Sequence, residues 1–338
     1  MSSASASEPG AGASPLLAIR NLDLWFDTEQ GRVHAVRGVS LSVDTGRTLG
    51  IVGESGCGKS VTCHSILRLT PANGVMAGEI LFGGEDLATY NEDRLTKLRG
   101  REIAMIFQEP LSALNPVHTV GGQIAESLKL HRAMSAEAAR AEALNLLERV
   151  GIPEAKRRLR EYPHQLSGGM NQRAMIAMAL ACRPRLLIAD EPTTALDVTI
   201  QAQILNLLRD LQREFGMALI LITHDLGVVA EIADDVAVMY AGSVVEQASV
   251  DALFAHPMHP YTAGLLHAVP RIDATASTLA PIEGTVPSAI DIPPGCSFAP
   301  RCAQAQERCR RERPPLQRLG DGRALACHFP LALAEAAA

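Results

Sequence analysis

The sequence lacks long apolar runs, a positive net charge and a leader-like start, and each absence narrows what the chain can do. No apolar run approaches the ~20 residues of a membrane-spanning helix, so any action at a membrane needs another chain to do the crossing. The net charge of −6 gives no support for non-specific binding to nucleic acid. Residues 1–15 are small, polar and unpatterned, which predicts a disordered tail rather than a secretory signal.

Aromatic side chains are also scarce: the chain has one Trp, four Tyr and seven Phe. Trp25 and Phe26 lie at the end of segment 17–26, which alternates like segment 33–43 and predicts antiparallel strands joined by a turn at 29–31. Packing in the core is the ordinary role of either ring. Stacking on an adenine base is the sharper alternative, and Phe26 is the candidate for it.

A glycine-rich loop follows the apolar run 48–52 and precedes a helical pattern at 61–69. This order of strand, loop and helix is typical of a phosphate site, in which backbone N–H groups and the helix N-terminus bind the anion. Lys59 is expected to reach the β- and γ-phosphates and the Ser60 hydroxyl to bind Mg²⁺; a plain turn with a solvated lysine is the alternative. The loop residues are Gly53, Glu54, Ser55, Gly56, Cys57, Gly58, Lys59 and Ser60, and Val61 follows them.

Polar residues stand at the ends of three further predicted strands, which lie in segments 105–110, 185–192 and 218–223. Gln108 is a candidate Mg²⁺ ligand or an ordinary loop glutamine. Asp190 is expected to hold Mg²⁺ and Glu191 to orient the attacking water, unless Asp-Glu-Pro is a simple solvated turn. His224 is either a structural hydrogen-bonding residue or a sensor of the γ-phosphate.

A second helix start has bare backbone amides, at Gly168 and Gly169, with Ser167 as the predicted N-cap. The Ala-, Leu- and Glu-rich stretch 120–151 predicts a helical insert, and segment 195–197, ending in Asp197, begins another helix. Met170, Met175 and Met178 are expected to fill the core.

The order of these motifs resembles that of the ATP-binding subunit of ABC transporters over residues 16–270. The motifs are, in order, the phosphate loop, Gln108, 166–169, 190–191, 195–197 and His224. The resemblance implies an α/β P-loop NTPase of the ABC type, with an antiparallel β subdomain, a helical subdomain and a small C-terminal extension. It implies two cassettes meeting head to tail, each completing the other's site. Met170 and Cys57 depart from the commoner glutamine and serine, and neither departure removes a side chain that binds phosphate.

These interpretations define three sets of residues and four segments. The nucleotide set is Phe26, Gly53, Glu54, Ser55, Gly56, Cys57, Gly58, Lys59, Ser60, Val61, Ser167, Gly168, Gly169 and Asp197. The catalytic set is Glu191, His224 and Gln108, and the Mg²⁺ set is Ser60, Gln108 and Asp190. The segments are the tail (1–15), the nucleotide-binding domain (16–250), its helical subdomain (about 110–180) and the C-terminal extension (251–338).

Segments 108–116 and 253–262 resemble the oligopeptide, dipeptide and nickel importer branch of the family. That resemblance implies an ATPase at the cytoplasmic face of the membrane, paired with a second, paralogous ATPase, two permeases and an external binding protein. Peptides are the expected cargo, with nickel chelates or glutathione as alternatives. A soluble ABC protein acting on ribosomes or DNA usually carries two cassettes or a long coiled coil, and neither is present. An electron-transfer module built on the cysteines is the other rival.

The C-terminal extension concentrates four cysteines in the spacing C-x₅-C-x₆-C-x₁₇-C. This spacing matches neither the common zinc ribbons nor the tight ferredoxin run, and thiolates suit zinc and iron–sulfur clusters equally. The resemblance to dipeptide-type ATPases favours one structural [4Fe-4S] cluster, and seven arginines against three acids between the outer cysteines agree with an anionic group. The expected ligands are Cys296, Cys302, Cys309 and Cys327; His328 is a mixed-ligand alternative.

Overall fold

The computed structural model of the chain describes residues 14–194, 197–268 and 282–332. Its strands are β1 (Leu17–Thr28), β2 (Gly31–Val43), β3 (Thr48–Val52), β4 (Gly74–Phe82), β5 (Glu85–Asp86), β6 (Ile103–Ile106), β7 (Leu186–Asp190), β8 (Ala218–Ile222), β9 (Asp235–Tyr240), β10 (Ser243–Ser249), β11 (Gln317–Arg318) and β12 (Ala324–Leu325). Its helices are α1 (Lys59–Ile66), α2 (Glu92–Leu98), α3 (Pro110–Ala113), α4 (Val120–Arg132), α5 (Ala136–Arg149), α6 (Ala155–Arg158), α7 (Gly168–Leu180), α8 (Val198–Phe215), α9 (Leu226–Ile232), α10 (Val250–Ala255), α11 (Pro260–His267) and α12 (Glu307–Arg311).

The larger sheet has the strand order β11-β12-β10-β9-β3-β8-β7-β6. Strands β9, β3, β8, β7 and β6 are parallel to one another, and β10 pairs antiparallel with β9. Every residue of β3, β7 and β8 is buried, as expected for parallel strands covered on both faces. The continuous apolar runs in the sequence therefore mark this central part of the sheet, and the predicted α/β fold class is confirmed.

The smaller, antiparallel sheet has the order β2-β1-β4-β5 and covers one face of the larger sheet. The two strands predicted at the N-terminus form as β1 and β2, with Thr28 paired to Gly31 across the turn. Leu22 and Val36 share one apolar cluster with Ile188 and Ile220 of the larger sheet. Burial of this apolar surface holds the two sheets together.

Helices cover the opposite face of the larger sheet. Successive residues of a strand point to opposite faces, so Leu187 and Ala189 contact the helices while Ile188 faces the smaller sheet. The predicted helical insert is two helices, α4 and α5, because the backbone at Ala133 turns left-handed (φ 50°) and Ser135 caps the second helix. These helices and α7 pack on the sheet as one cluster.

Two element boundaries differ from the sequence prediction. The helix after the phosphate loop ends at Ile66 rather than 69, because Arg68 adopts a left-handed backbone (φ 51°). The strand expected at 105–110 is Ile103–Ile106, and Pro110 is instead the first residue of α3. Proline favours this first helical position, where its missing N–H would have no partner.

The C-terminal extension adds to the larger sheet instead of folding apart from it. Strand β12 pairs with β10 at Ala324 and Gln247, and β11 pairs with β12. Tyr261 and Phe298 join the apolar cluster around Tyr240 of β9. The expected segment boundary at residue 250 follows the end of β10, while most of the predicted tail and positions 195–196 lie outside the described residues.

No helix in the described part of the chain has both the length and the apolar character needed to cross a membrane.

Candidate functional site

The predicted catalytic residues follow the carboxyl ends of neighbouring strands. Strands β3, β8, β7 and β6 are adjacent and parallel, so their carboxyl ends share one edge of the sheet. The phosphate loop follows β3, His224 follows β8, Asp190 ends β7 and Gln108 follows β6. In open α/β sheets this edge is where ligands bind.

The phosphate loop has the backbone shape that its glycines permit. Gly53 has φ +153°, and a Cβ there would lie 2.2 Å from the Met239 carbonyl oxygen, so only glycine fits. Lys59 is 5% exposed at the first position of α1. Its Nζ donates to the carbonyl oxygens of Gly53 (2.7 Å) and Glu54 (3.1 Å). The ammonium is therefore fixed within the loop, beside the helix N-terminus that favours anions.

Cys57 occupies this loop with its side chain buried, 1% exposed. Burial raises the pKa of its thiol, with nearby Lys59 acting in the opposite direction. The Sγ atom lies 3.8 Å from Lys59 Nζ. Cys57 is therefore a neutral, packed thiol, and only its backbone is available to a ligand.

Ser60 and Asp190 form the second part of the site. The Ser60 hydroxyl donates to Asp190 Oδ1 at 2.9 Å, and Asp190 is 4% exposed. Desolvation by burial raises the pKa of Asp190, which the hydrogen bond from Ser60 partly counters. His64 Nε2 lies 3.7 Å from Asp190 Oδ2 and was not expected from the sequence. A hydroxyl beside a carboxylate is an oxygen pair of the kind that Mg²⁺ prefers, so these two residues fit that ion.

Glu191 is the centre of a hydrogen-bond network. Its Oε2 accepts from Gln108 Nε2 at 3.1 Å and from Thr194 Oγ1 at 2.9 Å. His224 Nδ1 lies 3.5 Å from Oε1. The Glu191 backbone is left-handed at φ 45°, a strained conformation that tends to occur at functional sites. The structure thus brings Gln108, Glu191 and His224 together, and it adds Thr194, which sequence reasoning missed.

Lys59, Ser60, Gln108 and Glu191 border a cleft of about 450 Å³, within the usual size range of small-ligand sites. The cleft is lined by Val33, His34, Ala35, Ser55, Gly56, Gly58, Lys59, Ser60, Val61, Gln108, Glu191, Ala241, Gly242, Pro287, Ala289 and Ile292. The last three belong to the C-terminal extension, and no motif in the sequence predicted them at the cleft. A larger, more open cavity of about 920 Å³ on the helices, near Lys156, is bordered by none of the predicted site residues.

Phe26 lies outside the lining of this cleft. Its ring packs at Gly74 of the neighbouring strand, where a Cβ would lie 3.1 Å from Cε1. His34 of β2 lines the cleft instead, stacked on Trp25 with the ring centroids 4.6 Å apart. Adenine stacking by Phe26 stays a prediction.

Ser167, Gly168 and Gly169 form a separate surface. The Ser167 side chain accepts from the Met170 N–H, which confirms the predicted N-cap of α7, and nothing lies within 4 Å of a Cβ built at Gly168. Asp197 caps α8 by accepting from the Ile200 N–H. Among the residues that line the cleft in the described structure, none comes from this surface. Within a single chain its bare amides do not complete the phosphate loop.

The four clustered cysteines line one small cavity of about 20 Å³ in the C-terminal extension. All four are free thiols, and the Cys296 N–H donates to the Cys309 carbonyl oxygen at 2.7 Å. Burial raises the pKa values of Cys296 and Cys302 and raises that of Cys327 to about 11. In the described ranges no three His, Cys, Asp or Glu residues are placed to hold one metal ion. The four predicted ligands therefore lie around one cavity, but they are not arranged to bind a single metal ion.

Family models match two parts of the chain. A model described as ABC transporter matches residues 36–194, and one described as the C-terminal region of oligopeptide/dipeptide transporters matches residues 245–309. The oligopeptide transport ATP-binding protein AppD of Bacillus subtilis is 50% identical over 93% of this chain and 96% of its own length. The dipeptide transport ATP-binding protein DppD of Escherichia coli is 52% identical over 94% and 97%.

The chain belongs to the ABC transporter ATP-binding proteins.

Solved structures agree with this membership. The ATP-binding cassette MJ0796, in a dimeric post-hydrolysis state bound to ADP and Pi, matches with a TM-score of 0.63 and 30% identity. The match covers 69% of this chain and 98% of that cassette. In this ABC protein the cysteine-bearing extension contributes Pro287, Ala289 and Ile292 to the cleft.

Proposed function

We propose that this protein is the ATP-hydrolysing subunit of a multi-subunit ABC importer of peptides. The observation that carries the proposal is the meeting of the phosphate loop, Asp190, Glu191 and His224 at one sheet edge, in a chain about half identical to peptide-transport ATP-binding proteins. The family model that matches residues 245–309 also describes oligopeptide and dipeptide transporters.

In the proposed reaction each residue has a separate role. Lys59 and the loop amides hold the β- and γ-phosphates, and Ser60 and Asp190 hold Mg²⁺ together with Gln108. Glu191 orients the attacking water, supported by hydrogen bonds from Gln108 and Thr194. His224, 63% exposed beside Glu191, is the proposed sensor of the γ-phosphate.

A second ATPase completes each site in this proposal. Ser167, Gly168 and Gly169 lie outside the cleft of their own chain, so their amides are available to a nucleotide on a partner cassette. The cassette MJ0796, which is 31% identical to this chain, forms a dimer. We place the working pair, with a paralogous ATPase as partner, at the cytoplasmic face of the membrane, bound to two permeases that receive substrate from an external binding protein.

Substrate uptake in cells tests the proposal. A strain that lacks this chain should lose import of labelled di- or oligopeptides, and the wild-type chain should restore it. Complementation with Glu191→Gln should not restore it, although the protein is present at normal amounts. Loss of nickel-chelate or glutathione uptake with unchanged peptide uptake would support the alternative substrates and contradict peptide import.

We propose further that Cys296, Cys302, Cys309 and Cys327 hold one [4Fe-4S] cluster, which would supply a structural cross-link and not electron transfer. Support comes from four free thiols that line one cavity. A cluster binds each thiolate to a different iron, so its ligands need not converge on one point as the ligands of a zinc ion must.

Metal analysis distinguishes iron from zinc. The chain purified without oxygen should be brown and carry about four irons and four sulfides. Replacing any one of the four cysteines by serine should abolish the colour, whereas Cys182→Ser, outside the cavity, should leave it unchanged. A colourless anaerobic preparation with one zinc per chain would contradict the cluster.

A further inference from the structure

The second residue of the phosphate loop, Glu54, is held by residues of the C-terminal extension. Its backbone N–H donates to the Tyr261 hydroxyl at 3.0 Å, and its carbonyl oxygen accepts from Lys59. Its carboxylate accepts two hydrogen bonds from Arg301, one to each oxygen, at 2.6 and 3.0 Å. Every polar group of Glu54 therefore has a partner, and two of these partners, Tyr261 and Arg301, lie beyond residue 250.

Arg301 is also held in place by groups other than this carboxylate. Its side chain is 4% exposed, and its Nε donates to the Glu283 carbonyl oxygen at 2.9 Å. A further N–H donates to the Ile282 carbonyl oxygen at 3.1 Å, and the Tyr240 hydroxyl accepts at 3.4 Å. The pKa of Arg301 is raised, chiefly by its hydrogen bond to Glu54, so the guanidinium stays charged. A paired guanidinium in a fixed position is the arrangement that stabilises a partly buried carboxylate.

The position of Arg301 in the chain links two sites. It ends the short helical turn Ala299–Arg301 and directly precedes Cys302, which lines the cysteine cavity. Phe298, one turn earlier, packs on both Tyr240 and Tyr261 with ring centroids 5.3 Å apart in each pair. The segment that carries the cysteines thus also supplies the contacts that hold the phosphate loop.

The ion pair between Glu54 and Arg301 changes the charge of the loop that binds the nucleotide. An unpaired carboxylate in a loop that binds a triphosphate would repel the ligand, and at partly buried positions such repulsion is only weakly screened. Arg301 neutralises that charge without entering the cleft, since the residues lining the described cleft do not include it. Glu54 itself is 31% exposed, on the loop that borders the cleft.

We propose that Arg301 is a positioning residue of the ATP site, which neutralises Glu54 and fixes the phosphate loop in its binding conformation. The cysteine-bearing extension is then part of the nucleotide site and not an appendage to it. The inference rests on the assignment of the phosphate loop to ATP, and it does not depend on which metal, if any, the cysteines bind.

The affinity of the full-length chain for Mg-ATP tests the proposal. Arg301→Gln should raise the Kd by about tenfold or more, because an unpaired negative charge then remains in the loop that binds the triphosphate. Glu54→Gln should bind ATP at least as tightly as the wild type. The double variant Glu54→Gln/Arg301→Gln should return to within about threefold of the wild type, a rescue that lost packing alone would not produce.

Arg308→Gln is the matched control, because Arg308 lies in the same segment but pairs with Glu312 at the surface, both about 60% exposed. It should leave the Kd unchanged. Equal ATP affinity of Arg301→Gln and wild type would overturn the proposal, as would a double variant as weak as Arg301→Gln. Thermal unfolding of each variant separates loss of folding from loss of affinity. A wild-type chain that fails to bind ATP would instead contradict the ATP site itself.

Discussion

At the scale of single residues, the site is held together by contacts between distant parts of the chain. Gln108, Glu191 and His224 are far apart in the chain, and parallel strand order brings them together. Thr194 and His64 have no sequence signal of their own, because their role arises from contact with the predicted acids. The Glu54–Arg301 pair joins residues 247 positions apart, which no local pattern could indicate.

Substitution of Glu191 separates binding from catalysis. Glu191→Gln keeps a side-chain oxygen that can accept the hydrogen bonds from Gln108 and Thr194, but it loses the charge that polarises water. We expect ATP affinity near that of the wild type and turnover lower by about 10²–10⁴-fold, the usual contribution of a general base.

Lys59→Ala should instead raise the Kd for ATP by about 10–100-fold, since it removes a charged hydrogen-bond donor.

Equilibrium binding and steady-state hydrolysis, measured on the same preparations, check both expectations. Hydrolysis by Glu191→Gln at more than a tenth of the wild-type rate would remove Glu191 from the catalytic role.

At the scale of secondary-structure elements, apolar patterns predicted the buried strands well. Strands β3, β7 and β8 appear within one or two residues of their expected bounds, because parallel strands buried on both faces read as continuous apolar runs. Boundaries set by single backbone conformations were missed: the left-handed residues Arg68 and Ala133 end helices that periodicity alone would continue. The pairing of β12 with β10 was also beyond prediction, since a two-residue strand has no period.

One glycine controls the turn that brings two cysteines together. A Cβ at Gly295 would lie 2.3 Å from the Cys309 carbonyl oxygen, which accepts from the Cys296 N–H. Gly295→Ala should therefore push the two cysteine segments apart, at a cost of about 1–3 kcal/mol. The extension should become more sensitive to protease, and the iron content of the proposed cluster should fall with it.

Gly320→Ala is the control for this change, because Gly320 belongs to the same extension and has nothing within 4 Å of its would-be Cβ. Limited proteolysis of the two variants gives the comparison. Equal protection of both would show that the close contact at Gly295 does not order the cysteine turn.

At the scale of the whole molecule, the groups proposed to bind ATP lie on two separate surfaces of the chain. The phosphate loop and Glu191 line the cleft, while the bare amides of Gly168 and Gly169 lie on another surface. The extension is the third feature, and it lines the cleft with Pro287, Ala289 and Ile292. Motifs along the sequence predicted the first two features; the third depends on how residues beyond 282 fold back, which the motifs do not encode.

In the proposed function, ATP hydrolysis by this chain drives peptide import within a larger assembly. This coupling is tested by the ATPase rate of the chain alone and in its reconstituted membrane complex, with and without peptide-loaded binding protein. The isolated chain should be a poor ATPase, and assembly with loaded binding protein should raise the rate in step with peptide uptake, whereas Glu191→Gln in the same complex should show neither. Full-rate hydrolysis by a strict monomer, unaffected by the membrane partners or by peptide, would contradict the account.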